Sequence, residues 1–230
     1  MVSEYSIVIP SYNEERAIGR AIQETVRVFD ALHAPYEVLV VDDGSSDQTA
    51  AIVQESMRTL PQLKLIQHPA NQGKGAAVRT GVQATSGHFF LFLDADLATH
   101  PSEFEKVLPA LQHADIVIGS RTTQGSVIAR QQPIYRVLLG KVFNRLVVRW
   151  YLGLPFFDTQ CGFKVFHQKA KPLFENLQSS GWAFDVELLL RAKGADLRIA
   201  EVPVKWRHGR ESRVRLRDVF QILRELRGMK

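Results

Sequence analysis

With 230 residues, 45% hydrophobic, 23% charged and 9% aromatic, the chain has the proportions of an ordinary globular protein, which excludes disorder and fibrous repeats. A net charge of +5 hides a division: residues 1–120 hold 8 basic and 15 acidic residues and residues 121–230 hold 21 and 9, so a half suited to a cation precedes a half suited to anions. No run approaches the ~18 apolar residues of a membrane-spanning helix. The first residues lack the basic and apolar regions of a secretory signal, and lone Cys161 excludes a disulfide framework or an all-Cys zinc site, so a cytoplasmic protein is expected, with any membrane contact peripheral.

In chain order, residues 5–9 read as a short apolar strand ended by Pro10, and 14–32 as a helix through Ala17, Ile18, Ala21, Ile22, Val26 and Phe29. Asn13 is a candidate N-cap for that helix, with Glu14 favourable to its dipole. Residues 36–41 form a second strand stopped by Asp42-Asp43-Gly44-Ser45, and the next helix has Ser45 or Ser46 as its candidate cap. Then come a strand at 63–67, a helix at 75–84, a buried strand at 89–93, a helix near 102–112 begun by Pro101 or Ser102, and a strand at 115–118. Apolar strands alternating with helices predict an α/β sandwich, a mainly parallel sheet covered on both faces.

Past Gly119 the alternation becomes irregular. A helical pattern over 134–152 carries a basic stripe of Lys141, Arg145 and Arg149, followed by a strand at 162–166, a helix at 184–192 and a strand at 198–204. A last amphipathic helix places Leu216, Val219, Phe220, Leu223 and Leu226 on one stripe flanked by Arg215, Arg217, Arg224 and Arg227. Such helices lie in an anionic bilayer interface, pack on their own domain, or pair with a second copy of the chain. Neither a flexible linker nor a repeat divides the sequence, which predicts a single domain over 1–230.

Ligands of open α/β sheets bind beyond the carboxyl ends of the strands. Those ends carry Pro10-Ser11-Tyr12-Asn13-Glu14, Asp42-Asp43, Asp94-Ala95-Asp96 and Gly119-Ser120-Arg121. No G-x-G-x-x-G follows the first strand; Gly73-Lys74 lacks the upstream glycine of a P-loop, and Gly75 stands where Ser or Thr should follow. Hydride transfer on a dinucleotide and P-loop phosphoryl transfer are thereby excluded, and no zinc-finger, helix-turn-helix or RNA-recognition signature speaks for nucleic acid. Asp94 and Asp96, on a chain expected to leave the sheet extended, offer hard oxygens suited to Mg²⁺ or Mn²⁺ and to a departing nucleoside diphosphate. Alternatively Asp94 caps the amides of a polar turn, and Asp42 to Ser45 is a simple strand-to-helix turn.

The strings Ser6-Ile7-Val8-Ile9-Pro10-Ser11-Tyr12-Asn13-Glu14-Glu15, Val40-Val41-Asp42-Asp43-Gly44-Ser45-Ser46-Asp47, Asn71-Gln72-Gly73-Lys74-Gly75 and Asp94-Ala95-Asp96 together resemble the inverting glycosyltransferases of family 2, which have the GT-A fold. Asp158-Thr159-Gln160-Cys161-Gly162-Phe163-Lys164 and Trp182-Ala183-Phe184-Asp185-Val186-Glu187 resemble the dolichyl-phosphate glucosyltransferases within it. Asp96-Leu97 through Pro101, with the Arg207 to Arg213 region, is similar to the dolichyl-phosphate mannosyl synthases.

The resemblance implies transfer of a hexose from UDP-glucose or GDP-mannose to a polyprenyl phosphate, with Mg²⁺ or Mn²⁺. It divides the domain into a nucleotide-sugar and metal half over 1–120 and an acceptor half over 121–230. It implies that Pro10, Tyr12, Glu14, Val40 and Asp42 contact base and ribose. Asp94, Ala95 and Asp96 would meet the ribose-diphosphate, with Asp94 and Asp96 at the metal and Asp96 foremost. Arg121, Arg207 and Arg213 would surround the phosphates, and Asp96, Arg121, Asp158 and Arg213 would form the catalytic set. Arg213 departs from the usual Lys, which keeps the charge and alters the geometry; the other departure is that no membrane-spanning segment is found.

An acceptor phosphate is already ionised, so in-line displacement needs positioning and charge neutralisation rather than a strong base. Asp158, Asp185 and Glu187 are candidates for orienting sugar hydroxyls or a basic residue, although Asp185 and Glu187, two apart on a helix, do not share a face. His100 stands near the metal motif or on a surface loop, Cys161 is a small packed residue, and Trp182 and Trp206 line the acceptor path or are buried. A transferase acting on a soluble glycan and a non-catalytic nucleotide-sugar-binding module are the alternatives.

Overall fold

Apolar runs become neighbouring strands because the helix after each one returns the chain to the same edge. The computed structural model describes residues 3–130, 140, 142, 144–181 and 183–207. Its first half runs β1 (Tyr5–Ser11), α1 (Ile18–Asp30), β2 (Tyr36–Asp42), α2 (Thr49–Met57), β3 (Leu63–Gln67), α3 (Lys74–Gln83), β4 (Phe89–Leu93), a 3₁₀ turn at Pro101–Glu103, α4 (Phe104–Leu111) and β5 (Ile116–Ser120). The second half adds β6 (Val127–Arg130), a π-helix at Asn144–Tyr151, β7 (Phe163–His167), a 3₁₀ segment at Gln168–Phe174, α5 (Phe184–Gly194), β8 (Ile199–Pro203) and β9 (Lys205–Arg207).

Seven strands form one sheet in the order β3-β2-β1-β4-β7-β5-β8. All pairs are parallel except those of β7, which is antiparallel to both β4 and β5. Both faces are covered, as the all-apolar strands predict. Val8, Val41, Phe90, Phe92 and Phe166 face one cluster with α3, α5 and the π-helix, while Ile7, Val40, Leu91, Leu93 and Phe163 face the other with α1, α2 and α4. The reversed β7 has a consequence for the site: Phe163 pairs with Leu93, so β7 begins where β4 ends.

The structure corrects several local expectations. The first helix starts at Ile18, with a turn over the preceding residues, and the second starts at Thr49 with no side-chain cap; Asn13, Ser45 and Ser46 therefore cap neither. Pro101 begins the 3₁₀ turn ahead of α4, as expected, and His100 accepts the capping N–H there. The small parallel sheet of β6 and β9 escaped the sequence reading because its strands are only four and three residues long. Of the helix expected over 134–152, residues 144–151 form a π-helix anchored by Val148, with Leu152 and Leu154 behind it in the core. The final amphipathic helix, Arg213 and Trp182 lie outside the described residues. Among those residues no helix is long and apolar enough to cross a membrane.

At the far edge of the sheet, buried Glu37 accepts hydrogen bonds from Ser6 Oγ, Ser86 Oγ and Lys64 Nζ, each at 2.7 Å. Burial alone would raise its pKa, but these donors pull it from 4.5 down to about 2. A carboxyl lowered by folding stabilises the fold above its unfolded pKa and loses that contribution as the pH falls towards its folded value. Thermal melts of Glu37→Gln are therefore expected to depend less on pH than wild type between 4.5 and about 2.

Candidate active site

The loops after β1 and β2 bind each other's backbone. Asn13, at φ 51°, donates its N–H to Ser45 Oγ at 2.8 Å and accepts the Ser46 N–H at 2.9 Å, and the Glu14 N–H reaches Thr49 Oγ1 at 2.8 Å. The buried Asp43 carboxylate accepts the N–H groups of Gln72 at 2.9 Å and Gly73 at 2.8 Å, which fixes the glycine loop ahead of α3. Asp42 accepts the Ser45 N–H at 3.2 Å, as the turn reading expected. Tyr12 is exposed on this rim, with Pro10 and Glu14 half-buried beside it. Val40 is 0% exposed in the core, which corrects its place among nucleotide contacts: its side chain has no surface to offer and forms part of the floor.

Asp94-Ala95-Asp96 is a turn, not the extended exit expected from the sequence. The Leu97 N–H donates to the Asp94 carbonyl at 3.0 Å, and Leu97 has φ 52°. The turn buries Ala95, and the Asp94 and Asp96 carboxylates both act on the Lys74 ammonium. Asp96 is exposed and accepts the Ala98 N–H at 2.9 Å. Asp94 pairs with Lys74 Nζ at 2.6 Å and lies against Gly162, where an added Cβ would fall 1.9 Å from Asp94 Oδ2. Gly162→Ala is therefore expected to displace the Asp94 carboxylate and lower turnover by about 10²-fold, at a stability cost of about 1–3 kcal/mol. Paired kinetics and melting curves check both figures.

Arg121, just after β5, donates from Nε to Asp158 Oδ2 at 2.6 Å and from Nη2 to Oδ1 at 2.8 Å, and its own N–H reaches Oδ2 at 2.9 Å. Glu201 fixes the loop carrying that acid by accepting the Phe157 and Asp158 N–H groups at 3.0 and 2.8 Å. Burial would raise Asp158, but Arg121 more than offsets this and holds the carboxyl below its usual range; burial would lower Arg121, and Asp158 holds it well above its usual value. Asp158 thus orients a basic residue. The Trp206 ring lies 5.4 Å from the guanidinium. The Arg207 N–H donates to the Ala98 carbonyl at 2.8 Å, which brings this exposed arginine beside the chain leaving Asp96.

Asp185 does orient a basic residue, as the sequence suggested, but that residue, Lys164, was not singled out. Lys164 on β7 is 0% exposed, donates to the Cys161 carbonyl at 2.7 Å and forms an ion pair with buried Asp185 on α5. A lysine inside the otherwise apolar Phe163–His167 strand was the available signal, since an unpaired lysine is almost never fully buried. Burial pushes Asp185 up despite that partner. For Lys74 burial works downward, but Asp94, Asp185 and Asp96 overcome it and raise its pKa, so the lysine stays charged. Glu187 accepts the Gln178 and Ser179 N–H groups and the Arg191 Nε, a structural role, and burial lifts the Cys161 thiol to about 11, which leaves it inert. His100 caps the 3₁₀ turn and lies 3.4 Å from Glu24.

The donor set fits a hard divalent cation that keeps substrate oxygens as its other ligands. Carboxylates supply it, and no group of three or more metal-ligating side chains exists among the described residues.

Comparison with known proteins places the chain in a family. The chain is 37% identical to a dolichyl-phosphate beta-glucosyltransferase (ALG5C) of Trichomonas vaginalis over 96% of its own length and 69% of the relative's. It is 35% identical to the human dolichyl-phosphate beta-glucosyltransferase over 88% and 67%. Glucosyl-3-phosphoglycerate synthase from Mycobacterium tuberculosis, crystallised with Mn²⁺, UDP and phosphoglyceric acid, superposes with a TM-score of 0.71 at 21% identity over 99% of this chain and 77% of that one, a likeness of fold, which is GT-A. Residues 6–172 match Glycosyl transferase family 2, and with relatives this similar across nearly the whole chain, the protein belongs to that family.

Proposed function

We propose that this glycosyltransferase moves glucose from UDP-glucose to a polyprenyl phosphate of the dolichyl type, with inversion at the anomeric carbon. The observation that carries the reading is the convergence of exposed Asp96, the Lys74–Asp94 pair, Arg121 and Arg207 on one edge of the sheet. The similarity to dolichyl-phosphate beta-glucosyltransferases at 31–37% identity supports glucose over the mannose weighed from the sequence.

The Tyr12 and Glu14 rim holds the base and ribose, with Asp42 behind it. Asp96, assisted by Asp94, would hold Mg²⁺ or Mn²⁺, which when bound would neutralise charge on the departing diphosphate. Arg121, immobilised by Asp158, and Arg207 orient the acceptor phosphate. Its oxygen forms the new bond to the anomeric carbon, and the bond to the UDP oxygen breaks with its electron pair leaving on UDP. Asp94 and Asp158 are engaged by cations, so neither serves as a general base, and an ionised acceptor needs none.

Purified protein should be assayed with UDP- and GDP-sugars against a short-chain polyprenyl phosphate and a soluble glycan. The expected product is the polyprenyl phosphate β-glucoside from UDP-glucose alone. Exclusive transfer to the glycan, or binding of nucleotide without turnover on any acceptor, contradicts the proposal.

A further inference from the structure

The segment between β3 and α3 leads straight into Lys74, the residue paired with Asp94, so whatever fixes that segment also fixes one side of the turn after β4. Gly44, at φ 70°, lies so close to it that an added Cβ would fall 2.5 Å from the Ala70 carbonyl carbon. Farther on, the Gly75 N–H donates to the Ser180 carbonyl at 2.7 Å. Between these points Asn71 and Gln72 are exposed, and the Asp43 carboxylate holds the loop from beneath through the Gln72 and Gly73 N–H groups.

Asp43 is itself held. His68, the residue after β3, places Nδ1 2.7 Å from Asp43 Oδ1, the oxygen that also accepts the Gln72 N–H, and Nε2 2.9 Å from Thr80 Oγ1 on α3. The two side chains are nearly enclosed, at 8% and 3% exposure. A carboxylate only accepts, which assigns the ring proton facing Asp43 to Nδ1. The His68 N–H donates to the Asp42 carbonyl at 2.9 Å, so the ring rises from backbone tied to β2. A flat ring bonded at both nitrogens has one orientation and imposes it on the acid. An apolar side chain would fill the same gap without burying polar atoms; what the imidazole adds is a donor fixed on Asp43. We propose that His68 is a positioning residue of the transferase, acting through Asp43 on the Gln72–Gly73 backbone and through that backbone on Lys74 and Asp94. It touches no substrate. The inference rests on the proposed function only where turnover is read with UDP-glucose.

An asparagine amide can stand where Nδ1 stands and a glutamine amide where Nε2 stands, so His68→Asn keeps the donor to Asp43 and His68→Gln removes it. Amide hydrogen exchange by NMR on the ligand-free full chain should show Gln72 and Gly73 protected in wild type and in His68→Asn, and exchanging about tenfold faster or more in His68→Gln. With UDP-glucose and a short-chain polyprenyl phosphate, kcat should fall about tenfold or more in His68→Gln and recover in His68→Asn, even where both variants melt below wild type. Thr80→Val, which releases the far side of the ring and leaves every loop bond in place, should show the same losses in weaker form. Wild-type protection or wild-type kcat in His68→Gln overturns the inference, as do equal losses in the asparagine and glutamine variants. Should His68→Gln fail to fold, wild-type protection and kcat in Thr80→Val overturn it. Protection lost in His68→Gln and kept in His68→Asn, with no transfer to polyprenyl phosphate by wild type, leaves the bracing of the loop standing and removes the proposed function.

Discussion

Asp96→Asn is expected to lower transfer at saturating Mg²⁺ by about 10³-fold or more, the scale of losing an electrostatic stabiliser aimed at developing charge. The substitution keeps size and shape and removes one negative charge. Asp96 is exposed at the tip of the turn, so the loss falls on a carboxylate open to a metal-bound diphosphate. The Ala98 N–H that Asp96 accepts can still reach an amide oxygen, and melting curves should match wild type. Initial rates with Mg²⁺ titrated beyond saturation make the comparison; turnover within a few-fold of wild type, with unchanged metal dependence, removes Asp96 from this role.

Lys164→Met should cost about 3–5 kcal/mol of stability, because it strands the Asp185 carboxylate in a site with no exposure to water. Lys164 is wholly enclosed and Asp185 nearly so, with the Phe92 ring 5.3 Å from the ammonium. Burial already raises the Asp185 pKa with the lysine present, and removing Lys164 pushes it further up, with Lys74 the remaining cation that acts on it. Lys164→Met/Asp185→Leu should recover most of the stability, since an apolar pair of similar volume avoids the desolvation of both ions. Its activity should stay low: the ammonium also holds the Cys161 carbonyl at 2.7 Å, next to the Gly162 on which Asp94 rests. Denaturant melts and turnover on the single and double variants separate the two effects. A single variant as stable as wild type would show that the pair contributes nothing.

The parallel core of the sheet was legible because its central strands are mostly apolar and each is followed by a helical pattern. The reversal of β7 was not, since Phe163–His167 has the same composition whichever way it runs; direction is set by the connection before it. The carboxylates and arginines at the strand ends were legible as residue types, and the structure does bring Asp94, Asp96, Arg121, Asp158 and Arg207 to one edge. Their conformations were hidden. Leu97, a residue with no preference for positive φ, gives no warning of the turn at Asp94 to Leu97. Asn13 looked like a helix cap because the atoms it satisfies, on Ser45 and Ser46, are more than thirty residues away. Val40 is distinguished from a pocket residue only by burial.

Titration of UDP into the purified protein with Mn²⁺, and again with a chelator, tests most directly whether the tip of β4 holds a metal-bound diphosphate. Mn²⁺ should tighten UDP binding about tenfold or more, and in Asp96→Asn that gain should vanish while metal-free binding persists. Equal affinity with and without Mn²⁺ in wild type, or an undiminished gain in Asp96→Asn, would put the diphosphate elsewhere.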